Sequence, residues 1–152
     1  MVSIQGNPVG TLKRILIDNG YIENGIYYFY VRDHLGNNRI VANASGNVVQ
    51  KTDYYPFGMP TSASTAVDAQ PYKYNGKEYD MMNGLNQYDY HARQYDPAII
   101  RFTTIDPLVE KYYSWSPYAY CMNNPLKFID PDGCSITFIA DNKDLLKQTT
   151  TL

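Results

Sequence analysis

Two histidines, His34 and His91, and two cysteines, Cys121 and Cys134, are the side chains of this sequence with the ordinary means for nucleophilic chemistry. A thiol beside an imidazole performs covalent catalysis. No local signature of a Cys–His enzyme surrounds any of the four, however. His34 lies in the turn-forming run Asp33-His34-Leu35-Gly36 and His91 in a strand-like run, so both are expected in structural roles. Two cysteines make neither a disulfide framework nor a metal-ligand spacing, and no metal or cofactor is implied. The sixteen tyrosines carry a second chemistry. Their rings either stack on sugars or pack against a sheet with the hydroxyl satisfied at the surface, and packing is the expected use. Lys77 with Glu78, and Arg93 with Asp89, read as surface or cross-strand pairs of small net value.

Whatever these residues do, short elements must position them. Twelve Asp stand against three Glu, and Asp competes for the helical backbone where Glu favours it. Gly, Pro, Asn and Asp together supply 44 of 152 residues, which divides the chain into short pieces and excludes long helices. The length suits about one domain. A net charge of −2, from 13 basic and 15 acidic residues, gives no broad positive field, so nucleic acid is not expected as a partner. No apolar run reaches the roughly 18–20 residues of a membrane-spanning helix. The start Met1-Val2-Ser3-Ile4 does not read as a signal peptide, so export would depend on something else.

Strands and turns alternate along the chain. Leu-Lys-Arg-Ile-Leu-Ile at 12–17 is closed by Asp18-Asn19-Gly20, and Tyr21-Ile22-Glu23 by Asn24-Gly25, both tight-hairpin signals. The run 26–32 is too continuously apolar for an amphipathic helix and predicts a buried strand. Strands follow at 39–42 and 48–55. Pro56-Phe57-Gly58-Met59-Pro60 stops the last of these, and residues 61–66 form a surface loop. Residues 85–95 read as a strand with Leu85, Gln87, Asp89, His91 and Arg93 on one face. Ser116-Pro117 predicts a helical turn through Cys121, with Ser116 as its cap. After Asp130-Pro131-Asp132-Gly133 the character changes. A strand within 134–140 and a short helix around 143–148 are expected.

Three blocks of residues carry a family resemblance. The first is Tyr30-Val31-Arg32-Asp33-His34-Leu35-Gly36-Asn37-Asn38-Arg39 with Tyr54-Tyr55-Pro56-Phe57-Gly58. The second is Asn75-Gly76-Lys77-Glu78 with Tyr90-His91-Ala92-Arg93-Gln94-Tyr95-Asp96-Pro97. The third is Arg101-Phe102-Thr103-Thr104-Ile105-Asp106-Pro107, then Asn123-Asn124-Pro125, ending at Asp130-Pro131-Asp132-Gly133. In this order they resemble the RHS repeat-associated core domain, found at the C-terminal end of RHS and YD-repeat proteins. The resemblance implies a mainly β fold of antiparallel hairpins curved as part of a shell, with one or two short helices in the C-terminal third. It divides the chain into the end of an upstream repeat (1–25), the core domain (26–133) and the start of a variable tail (134–152), so that a fragment or remnant of a longer protein is expected.

The function implied is structural: caging and presenting a C-terminal toxin or effector. The partners would be that tail, the remaining shell and an immunity protein, and the parent protein would be secreted or lie at the cell surface. In members with an encapsulated toxin, two Asp-Pro-x-Gly motifs form an aspartyl self-cleavage site. Asp106 and Asp130 occupy the matching positions, Arg101 would hold their charge, and Gly133 and Cys134 mark the cleavage region. The first motif departs from the pattern, with Val109 in place of Gly, and the aspartates lie 24 positions apart where the pattern has 22. The plain reading of both Asp-Pro pairs is that they start turns. The sequence thus supports three uses: structural core, autoprotease, or tyrosine-lined glycan-binding surface.

Overall fold

The computed structural model describes residues 4–6 and 12–139. Its first sheet runs in sequence order: β1 (Ile4–Gly6), β2 (Leu12–Ile17), β3 (Gly20–Glu23), β4 (Ile26–Arg32), β5 (Asn38–Asn43) and β6 (Val48–Lys51). Every pairing is antiparallel. The reversals come from the turn residues. Asn24 and Gly25 take φ of 52° and 78°, the left-handed pair that matches strand twist. Asp33 Oδ1 accepts the N–H groups of Leu35 and Asn37 at 3.0 and 3.1 Å, and Asn43 Oδ1 those of Ser45 and Asn47.

Register places Arg14, Tyr21, Tyr30, Val41 and Gln50 on one buried face. The strand 26–32 was expected to be buried, but only Tyr30 is. Tyr27, Phe29 and Val31 point out on the opposite face. A continuous apolar run says that a strand suits burial, not that both faces of its sheet have something packed on them. The strand predicted over 48–55 ends at Lys51, and Tyr54 returns only as an isolated bridge to Pro60.

The second sheet holds β7 (Glu78–Asp80), β8 (Gln87–Asp89), β9 (Gln94–Asp96) and β10 (Arg101–Phe102), in the order β10-β9-β8-β7. Here the expected single strand 85–95 is a hairpin. Asp89 Oδ1 accepts the His91 N–H at 2.7 Å, His91 takes φ of 72°, and the Tyr90 N–H donates to Arg93 O at 3.0 Å. This reversal ends the two-residue alternation that would have left Arg93 on the polar face. A final pair, β11 (Phe128–Ile129) and β12 (Thr137–Phe138), brackets the Asp130–Gly133 turn. Short 3-10 turns cover Val109–Lys111 and Cys121–Asn123. Between them the predicted helical turn from Ser116 is instead a β-turn closed by the Ala119 N–H on Ser116 O at 2.9 Å, after which Ala119 bridges Arg101. The helix expected around 143–148 lies outside the described residues.

Tyr74, Tyr79, Tyr88, Tyr90, Tyr95, Phe102, Tyr120 and Cys121 form the main core. A buried phenol needs a partner for its hydroxyl, and the stop signal at 56–58 supplies three. The carbonyls of Pro56, Phe57 and Gly58 accept from Tyr74, Tyr95 and Tyr88 at 2.9, 2.8 and 2.7 Å. Gly58 is required for the approach, since a Cβ there would lie 2.6 Å from the Tyr74 ring.

Candidate functional site

Arg93, turned inward by the reversal after β8, gathers the site. It is 3% exposed and lies over the Phe102 ring, Cζ to centroid 3.7 Å. Its Nη2 reaches Asp106 Oδ2 at 3.0 Å and Asp130 Oδ2 at 3.6 Å, its Nη1 donates to Pro117 O at 3.1 Å, and its Nε donates to Gly133 O. One guanidinium therefore spans both aspartates and the carbonyl of the residue preceding Cys134. Arg101, expected in this role, is exposed on β10 and is not a partner of either aspartate; the assignment passes to Arg93. The expected pairing of Arg93 with Asp89 is corrected by the same geometry. The Ala92-Arg93 block did point to this residue, but strand alternation concealed which way it faced.

Both Asp-Pro pairs do start turns. Asp106 Oδ1 accepts the Leu108 N–H at 2.7 Å, and Asp130 Oδ1 accepts those of Gly133 and Asp132 at 2.7 and 3.3 Å. Each carboxylate thus spends one oxygen on its turn and offers the other to Arg93. Asp130 is 1% exposed, and its Oδ2 has no hydrogen-bond partner. Burial pushes its carboxyl above the usual range, against the lowering effect of the two N–H groups and Arg93.

The backbone after Asp130 is held at three successive carbonyls. Lys77 Nζ donates to Pro131 O at 2.6 Å, the Ala92 N–H to Asp132 O at 3.2 Å, and Arg93 Nε to Gly133 O. Lys77 was expected as a surface partner of Glu78; its reach to a carbonyl 54 positions away was not legible in the sequence. Gly133 has φ of 80°, and a Cβ there would lie 2.8 Å from Tyr90 O. Cys134 and Ser135 donate their N–H groups to Asp132 Oδ1 at 2.9 and 2.8 Å. A cationic donor on the Gly133 carbonyl draws electron density from its carbon and stabilises an oxyanion formed there.

The Cys–His candidates do not assemble. Cys121 is buried in the tyrosine core, and desolvation pushes its thiol up to about 12. His34 and His91 are exposed at their reversals. Among the described residues, no three His, Cys, Asp or Glu lie close enough to hold a metal ion.

Comparison with known proteins agrees with the fold. The Teneurin YD-shell family matches residues 16–128. Salivary gland surface protein 1 of Aedes aegypti is 43% identical over 116 residues, 75% of this chain and 3% of that protein. The tRNA3(Ser)-specific nuclease WapA of Bacillus spizizenii is 36% identical over 118 residues, 74% of this chain and 5% of its own length. Among solved structures, a crystal structure of TcdB2-TccC3-Cdc42 superposes with a TM-score of 0.69 at 22% identity, over 88% of this chain and 7% of that one. The Photorhabdus luminescens Tc holotoxin pore, with a TccC3 mutation, gives 0.63 at 21% identity over 93% and 7%. The chain spans a small fraction of each of these proteins, and at such identities the structures speak for the fold. With antiparallel hairpins, the tyrosine core and the matched span in agreement, this chain belongs to the Teneurin YD-shell family and is an RHS/YD-repeat core domain.

Proposed function

We propose that this domain is the terminal wall of a YD-repeat shell that holds and presents the segment following Gly133, a toxin or effector tail in the parent protein. The observation that carries this reading is the anchoring of the tail's first residues. The Asp130–Gly133 turn is gripped at three carbonyls, and β12 pairs with β11 immediately beyond it, with Phe138 edge-on to Phe128 at 5.7 Å. The WapA relatives are named as tRNA nucleases, which supports a toxic cargo. The remaining shell would be the domain's partner, with an immunity protein in the producing cell, and the parent would be secreted or displayed at the surface. In the full-length parent, the segment beyond Gly133 is expected to resist added trypsin under native conditions. It is expected to be digested once residues 26–133 are deleted. Equal digestion in both would overturn the reading.

The Arg93 cluster favours a second reading, self-cleavage beside Gly133. Water would add to the Gly133 carbonyl carbon and lose a proton to Asp106, with Arg93 Nε stabilising the oxyanion. The carbon–nitrogen bond to Cys134 would then break, and Asp130 would protonate the departing amine. Val109 in place of Gly in the first motif does not disturb the geometry on which this rests, since Asp106 keeps both its turn and its hold on Arg93. Intact-mass measurement of the purified chain is expected to find residues 134–152 lost with time, and retained in Asp130→Asn. An unchanged mass after incubation across the pH range leaves presentation as the whole function.

A further inference from the structure

The self-cleavage reading uses two aspartates and Arg93, and leaves Lys77 unexplained. This lysine is half-buried. Its Nζ donates to Pro131 O, the carbonyl of the residue directly after Asp130, and stands 5.3 Å from the centroid of the Tyr90 ring. Its base is fixed as well. The Lys77 N–H donates to Tyr74 O at 2.9 Å and its carbonyl accepts from the Lys73 N–H at 2.8 Å. The 3-10 turn in between carries Asn75, whose Oδ1 takes the hydroxyls of both Tyr90 and Tyr120 at 2.7 and 2.6 Å. A flexible side chain is thus mounted on one of the most tightly held turns of the core.

We propose that Lys77 is a positioning residue of the Asp106, Arg93 and Asp130 cluster: its ammonium pins the carbonyl of the residue after Asp130 and is a second cation beside that turn, so it governs both where Asp130 points and when it carries a proton. The charged groups around Lys77 are Asp130, Asp89 and Asp132. Those around Asp130 are Arg93, Asp132 and Lys77, with the Cys121 thiol close by. Arg93 divides its charge between two carboxylates and two carbonyls. Lys77 is a compact charge on a single carbonyl, and that suits it to bias one carboxyl without bridging to the other. Burial favours the neutral form of Asp130 and a neighbouring cation favours the ionised form, so the two oppose each other across the working pH range.

The inference rests on the self-cleavage reading for its effect on rate, but not for its effect on Asp130. The Asp130 carboxyl is titrated by carbon-13 NMR in the intact chain and in Lys77→Gln and Lys77→Arg, with the amide spectrum as the check on folding. Lys77→Gln keeps a donor to Pro131 and loses the charge. Its Asp130 midpoint is expected to rise by roughly one pH unit, while Lys77→Arg stays near the parent value. As proton donor, Asp130 would then serve to higher pH, and the alkaline limb of the cleavage rate should move up by the same amount. Should Lys77→Gln not fold, Lys77→Met replaces it with the same expectation. An unmoved midpoint in a folded, uncharged variant overturns the role of Lys77 even if cleavage proceeds. A shifted midpoint in a chain that never cleaves sinks only the self-cleavage reading.

Discussion

At the scale of single residues, Arg93 concentrates the cost and the chemistry. Its guanidinium is withdrawn from water, and so are the two carboxylates it spans, Asp106 and Asp130. Such a cluster is a poor source of net stability when complete and expensive when broken. Arg93→Met leaves two buried carboxylates facing each other without a cation, and urea unfolding at neutral pH is expected to register a loss of about 3–5 kcal/mol. The sign of its pH dependence follows from Asp130. That carboxyl binds its proton more readily folded than unfolded, so in the variant the deficit should shrink as pH falls through its raised midpoint, where one of the two stranded charges is neutralised. A loss that is flat between pH 7 and pH 4 would show that the guanidinium acts by packing on Phe102 alone.

At the scale of elements, turn chemistry is what the sequence expresses most clearly. Asp33, Asn43, Asp80, Asp89, Asp96, Asp106, Asp130 and Asp132 each accept backbone N–H groups two to four residues on. This accounts physically for the excess of Asp over Glu, because the shorter side chain reaches its own backbone. The hairpins of the first sheet could therefore be placed from Asn-Gly and Asp-rich corners. The reversal at 90–93 could not. Tyr90-His91-Ala92-Arg93 contains neither Gly nor Pro, and the chain turns there on the capture of the His91 N–H by Asp89 and the bond from the Tyr90 N–H to Arg93 O. One unrecognised corner was enough to put Arg93 on the wrong face and to leave Arg101 as the apparent partner of the aspartates.

At the scale of the whole molecule, the core is a stack of phenols in place of an aliphatic interior. Burial raises the pKa of Tyr30, Tyr54, Tyr74, Tyr88, Tyr90, Tyr95 and Tyr120 above the ordinary value. For a group whose folded pKa is raised, stability is fully present below the unfolded value and is lost as pH climbs above it. With an unfolded tyrosine near pH 10, the urea midpoint is expected to hold steady up to about pH 10 and then fall steeply. Beyond the share of the exposed rings such as Tyr55 and Tyr113, tyrosinate absorbance should rise together with loss of structure and not ahead of it. Ionisation of most tyrosines in a still folded chain would contradict the burial described for this core.

What the sequence determined by itself was local: where the chain turns, that strands lie between the turns, and which motif order places it among RHS/YD-repeat cores. Those features follow from side chains acting on backbone within a few positions. Tertiary structure alone decided which face of β4 stays open, that three tyrosine hydroxyls close on Pro56–Gly58, and that Arg93 and Lys77 converge on one turn from positions 40 and 54 residues away. These are matters of long-range packing, in which the partner of a buried charge is set by what the folded chain brings beside it, and spacing along the sequence carries no record of that.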